Sequence, residues 1–128
     1  MPVSLPSTLD ELIVLLCSRP PIVFVPRLSD HEKDPLLYIR SIGLTLKQAK
    51  EIIYELLPEE CACGKEGMPC DDLGIPAKKM WAFQHLHKLW DGRLANIYIK
   101  LAPAKPNNAP PSIEAIIQVI AVSFHSAN

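Results

Sequence analysis

An imidazole, a phenol, an ammonium, a hydroxyl and an amide fall on one side of three apolar stretches in the last third of this chain. They belong to His125, Tyr98, Lys100, Ser123 and Gln84. Side chains alternate across an extended strand, so positions two apart share a face. The stretches read as strands over Lys79–His87, Ala95–Leu101 and Ile116–His125. In the first, Trp81 and Phe83 oppose Ala82 and Gln84; in the second, Ile97, Ile99 and Leu101 oppose Tyr98 and Lys100. In the third, the alternation sets Ile120, Val122 and Phe124 against Ala121, Ser123 and His125.

Such a polar set is suited to cleaving RNA without a metal. The substrate's own 2′-hydroxyl attacks the adjacent phosphorus, which calls for a base, an acid for the departing 5′-oxygen, and a cation for the developing charge. His125, with an ordinary pKa near ~6.5, is the best acid/base candidate. Tyr98 can orient the 2′-hydroxyl or share proton transfer, although a phenol near ~10 needs its pKa lowered to act as a base. Lys100 can hold the scissile phosphate as a point charge. Arg93, beside the Asp91-Gly92 turn, can grip a neighbouring phosphate. A half-solvated sheet also carries polar residues on its outer side for no catalytic reason, and alternation alone does not separate the two cases.

The elements that must position these groups follow from local signals. Ser7 or Thr8 caps a helix running to about Ser18, with Asp10 and Glu11 in its first turn and Leu9, Leu12, Ile13, Leu16 and Cys17 as its apolar stripe. Within that stripe Cys17 reads as a core thiol. Arg19-Pro20-Pro21 ends the helix, and Ile22–Val25 reads as a short edge strand closed by Pro26. Pro35 opens a second helix through Ile42, and Gly43 stops it. Thr45 caps a third helix to about Leu57, packed through Leu46, Ala49, Ile53, Leu56 and Leu57. Glu59–Lys78 has no periodicity and reads as a loop, Trp90–Arg93 as a turn, and Pro103–Pro111 as a surface connection. The expected fold is α+β in a single domain over residues 1–128, with helices packed on one face of a small antiparallel sheet of three or more strands.

The net charge is −1, which counts against strong nucleic-acid binding. Its distribution counts the other way. Beyond residue 73 only Asp91 and Glu114 are acidic, against Lys78, Lys79, Lys88, Arg93, Lys100 and Lys105. With 48% of residues apolar the chain has the material for a core. No apolar run approaches the ~20 residues that span a bilayer. The amino terminus lacks the basic and small-residue signature of a secretion signal, so a cytoplasmic protein without membrane partners is expected.

In that setting the four cysteines are expected as thiols or metal ligands. Cys61, Cys63 and Cys70 supply three of the four ligands of a tetrahedral zinc site, and His85 or His87 the fourth, but the spacing is not that of a standard knuckle. The plainer reading is a glycine-rich loop with incidental thiols, able to form a disulfide on oxidation, and no cofactor. By alternation His85 and His87 lie opposite Tyr98 and His125, as surface groups near the strand end.

Several runs, taken in order, carry a family likeness. Ser41-Ile42-Gly43-Leu44-Thr45 opens a helix, Met80-Trp81-Ala82-Phe83 opens the first strand, Ile97-Tyr98-Ile99-Lys100-Leu101 forms the second, and Val122-Ser123-Phe124-His125-Ser126-Ala127 closes the third. Together, across residues 34–127, they resemble MqsR-family toxins. That resemblance implies a RelE-like α+β fold and a ribosome-independent mRNA endonuclease, the toxin of a type II toxin-antitoxin system. Its products would end in 2′,3′-cyclic phosphate. It also implies a single-stranded mRNA substrate and a cognate antitoxin with zinc-binding and helix-turn-helix parts. The family's functional tyrosine falls on Tyr98, and the basic residue after the Ser-Phe pair on His125. The family's glutamine falls on Ala82, a departure, with Gln84 one step along the same face. For the family's loop lysine, Lys65 is the nearest candidate. Two other functions fit parts of the sequence: a catalytically inactive RelE-like interaction module, and a zinc-binding regulatory domain resting on the cysteine loop.

Overall fold

The computed structural model describes residues 5–27, 33–70, 77–105 and 117–127. Within them the chain forms α1 (Leu9–Cys17), β1 (Ile22–Phe24), α2 (Pro35–Ser41), α3 (Leu46–Tyr54), a 3-10 turn (Pro58–Glu60), β2 (Met68–Pro69), β3 (Lys79–Lys88), β4 (Leu94–Ala104) and β5 (Gln118–Ser126). The architecture is α+β, with a five-stranded sheet in the order β1-β5-β4-β3-β2. Among the described residues, no helix is long and apolar enough to cross a membrane.

Each helix begins where a short polar side chain can accept an otherwise unpaired backbone N–H. Thr8 accepts from Glu11 N in α1, and Asp34 accepts from Leu36 N at 2.9 Å in α2, with Pro35 at the first helical position. Thr45 and Gln48 form a reciprocal capping box at α3. Past α2 the chain turns at Gly43, whose φ of +78° suits a residue without a Cβ. The buried stripe of α1 is Leu9, Leu12 and Leu16. Cys17 is exposed, contrary to the expectation of a core thiol, because one helical position past Leu16 rotates it away from the core. In α3 the inward residues are Ala49, Ile52 and Ile53, followed by Leu56 beyond the helix. Leu46 and Leu57 are 48% and 55% exposed. The first begins the helix on its outer side, and the second lies past the helix end at Tyr54, off its register.

The sheet is mixed, where an antiparallel one was expected. β3, β4 and β5 pair antiparallel, but β1 runs parallel to β5, with Ile22 opposite Val119. A parallel neighbour needs a long crossover rather than a hairpin, and the chain between β1 and β5 supplies it. The loop expected at Glu59–Lys78 is partly ordered along the sheet. Cys61 bridges Phe83, and Met68 and Pro69 pair with Met80 and Lys79 as the edge strand β2. Pro103 and Ala104 belong to buried β4 rather than to a surface connection; residues 106–111 of that expected connection lie outside the described residues.

The principal core lies between sheet and helices. Trp81, Phe83, Ile97, Ile99, Leu101, Val119, Ala121 and Phe124 face Leu12, Leu16, Ile39 and Ile53. Phe124 anchors it, with Phe24 edge-on at 5.9 Å and Tyr38 of α2 at 6.3 Å between ring centroids. Here the strict alternation expected in the third strand fails. Lys100 pairs with Ser123, but Leu101 pairs with Ala121, so Val122 is the extra residue of a β-bulge. One inserted residue exchanges the faces of what precedes it. Val119 and Ala121 therefore share the helix side with Phe124. Ile120 and Val122 join Ala102 and Ala104 in a second apolar cluster on the opposite face.

Candidate functional site on the outer strand face

Beyond the bulge, three adjacent strands bring three of the expected polar residues to one register. Gln84 of β3 lies across from Tyr98 of β4, which lies across from His125 of β5. One step along, Lys100 lies between Ala82 and Ser123. The Tyr98 and His125 rings are 5.4 Å apart at 35°, and the Lys100 ammonium stands 6.0 Å from the Tyr98 ring centroid. Gln84 is exposed, while Tyr98, Lys100 and His125 are half-buried. Ser123 is buried, so it floors the site rather than opening to solvent.

The hydrogen bonding of His125 fixes its tautomer. Nδ1 lies 2.9 Å from the Ser126 carbonyl oxygen, which can only accept, so Nδ1 carries the proton and donates. Nε2 is then left with its lone pair, able to take a proton from a bound hydroxyl. Tyr98 moves the other way. Burial, and secondarily the nearby Cys63 thiol, push its pKa above the ordinary phenol value. Tyr98 thus remains protonated at neutral pH, with a hydroxyl able to donate.

Other expected residues lie elsewhere. Arg93 sits in the β3–β4 hairpin, about 17 Å along the strand from Tyr98 at ~3.3 Å per residue. Its guanidinium is taken by Asp91, Nε to Oδ2 at 2.5 Å. The Lys65 carbonyl accepts from Leu9 N at 2.8 Å and from Trp81 Nε1 at 3.1 Å, which ties that residue's backbone to the helix side. Gly67 lets this loop close: a Cβ there would come within 2.8 Å of the Trp81 ring. Ala82, where the resemblance set a glutamine, faces outward but is 3% exposed.

The three loop thiols do not form one group. Cys61 and Cys63 pack against the principal core, and Cys70 against the outer apolar cluster. Among the described residues, no set of three or more His, Cys, Asp or Glu side chains is gathered as metal ligands. His85 and His87 do lie on the helix side, as alternation predicts, but they are not free surface groups. His85 Nδ1 is paired with Glu60, whose other oxygen accepts from Leu57 N at 2.9 Å. The two rings, 5.9 Å apart, line a cavity of about 270 Å³ with Lys47, Gln48, Glu51, Ile52 and Glu55 of α3 and its end.

Two features of the outer face escaped the sequence reading although period two contains both. Asn96 and the 64% exposed Leu86 pair with each other next to Gln84 and Tyr98. The basic excess of the sheet half also has a place. Lys78, Lys79 and Lys105 line one cavity of about 530 Å³ with Leu5, Pro6, Ser7 and Pro103, at the far end of β3 and β4. Comparison of the chain with family models, curated proteins and solved structures gave no match in any of the three.

Proposed function

We propose that the chain is a metal-independent endoribonuclease acting on single-stranded mRNA, a toxin of RelE-like fold held in check by an antitoxin. The observation that carries this reading is the cross-strand Tyr98–His125 pair, with His125 Nδ1 tied to a carbonyl and Lys100 alongside. The motif order that resembles MqsR-family toxins supports it from the sequence.

In the proposed reaction His125 Nε2 removes the 2′-hydroxyl proton, the 2′-oxygen bonds to phosphorus, and the bond from phosphorus to the 5′-oxygen breaks. Tyr98 donates a proton to the departing oxygen, and the proton held by the imidazolium returns through solvent. Lys100 offsets the negative charge that builds on the phosphoryl oxygens. Gln84 hydrogen-bonds a flanking base or sugar. The products are a 2′,3′-cyclic phosphate and a free 5′-hydroxyl.

Exposed Leu86 and Leu94, 64% and 66% accessible on the same face, favour a second reading, an inactive module that binds a protein there. Incubating the protein with a long single-stranded RNA in EDTA, beside His125→Ala, separates the two. Defined fragments with cyclic phosphate ends, absent with the variant, are expected. RNA left intact at high protein concentration would sink the enzymatic reading and leave the binding one.

A further inference from the structure

Cys61 and Cys63 stand apart from every other thiol in the chain. Their sulfurs are 3.7 Å apart, one residue between them, and both are half-buried against the principal core. The geometry points to a redox-modification site: Cys61 and Cys63 are oxidised to an intramolecular disulfide by a small-molecule disulfide such as oxidised glutathione.

Four contacts hold the sulfurs face to face. Cys61 bridges Phe83 through the backbone, and Ala62 N donates to Ala82 O at 2.7 Å, so the segment is pinned to β3. Ala82 N donates to Cys63 Sγ at 3.5 Å, and Cys61 Sγ donates to the Cys63 carbonyl at 3.3 Å. A disulfide needs about 2.05 Å between sulfurs, so closure has to draw the two sulfurs together from 3.7 Å. Nothing comparable is open to the remaining thiols. Cys17 is exposed on α1, and Cys70 packs in the outer cluster.

The exchange balances in two steps. One thiol of the pair, as thiolate, attacks a sulfur of the small disulfide, forming a mixed disulfide and releasing one small-molecule thiolate. The second thiolate then attacks the protein sulfur of that mixed disulfide, closing Cys61–Cys63 and releasing the other. The protein loses two protons and two electrons, and the small disulfide gains them to become two thiols. Because Ala82, bonded to Cys63, is the cross-strand partner of Lys100, closure acts next to a polar residue of the outer face. That last consequence rests on the proposed ribonuclease; the bond itself does not.

The sequence supplies a clean readout. Cleavage after Lys50 and Lys65 releases residues 51–65, which hold Cys61 and Cys63 and neither of the other thiols. The reduced full-length protein is treated with oxidised glutathione, alkylated and digested. Peptide 51–65 is expected lighter by two hydrogens and without alkyl groups, and a reductant reverses this. In Cys61→Ser the glutathione adduct should instead stay on Cys63, since the resolving thiol is gone. Recovery of 51–65 doubly alkylated, at an oxidant level that fully modifies exposed Cys17, overturns the proposal. A stable adduct on the wild-type pair, or a cross-link to Cys70, overturns it equally. The assay uses no RNA, so its failure is distinct from failure of the ribonuclease.

Discussion

Histidines occupy both faces of the same sheet, in opposite chemical circumstances. On the outer face, His125 donates from Nδ1 to a backbone carbonyl and its ring lies 5.4 Å from that of Tyr98, which has the Lys100 ammonium 6.0 Å from its centroid. On the helix face, His85 is bound to the Glu60 carboxylate and His87 lies in the cavity against α3. A neutral carbonyl partner orients an imidazole without committing it to one charge state. A carboxylate partner holds the ring in a contact that braces the turn after α3 against β3. Residue type therefore says little here, and the partner of Nδ1 decides whether the ring is available for chemistry.

Substitution can break this contrast. His125→Ala is expected to cut RNA cleavage by about 100-fold or more, while His85→Ala and His87→Ala stay within about twofold. Initial rates on one labelled RNA settle it, and an equal loss at His85 would erase the distinction between faces. Glu60→Ala should do the reverse. Losing an acceptor that serves both His85 and Leu57 N costs about 1–3 kcal/mol in urea unfolding, with cleavage unchanged.

Smaller effects sharpen it. Tyr98→Phe keeps the ring beside His125 but removes the donor, so cleavage should fall by about tenfold with stability altered by less than ~0.5 kcal/mol. Chiefly through burial, and secondarily through the nearby His85, the pKa of His87 is held below its ordinary value. The unfolded chain then binds the proton more readily than the folded one, so the contribution of His87 is present above about pH 6.5 and fades as pH falls toward the folded value. Melting curves between about pH 7 and pH 5 should show a shallower decline for His87→Gln than for the wild type.

Helix starts were legible because each is a local side-chain-to-backbone bond, as with Thr45 and Gln48. Gathering Gln84, Tyr98, Lys100, Ser123 and His125 on one face was legible as well, since period two holds from Ser123 to the strand end. The bulge at Val122 was not. Ile120, Val122 and Phe124 form an unbroken alternation, and only pairing with β4 shows that one residue is extra. Parallel pairing of β1 and the split of the loop thiols were hidden for the same reason: each depends on contacts between segments far apart in the chain. The Glu60–His85 pair spans twenty-five residues and leaves no local trace.

The described edges of the sheet are β1, three residues long between Pro21 and Pro26, and β2, two residues long and containing Pro69. Proline has no N–H to offer, and such short strands give a newcomer almost no ladder to extend. Neither of these two short strands therefore offers a long ladder for fibril-like growth. Among the described residues β3 beyond Phe83 has no strand on its β2 side, so a partner that lends a strand would find its ladder there rather than on β2.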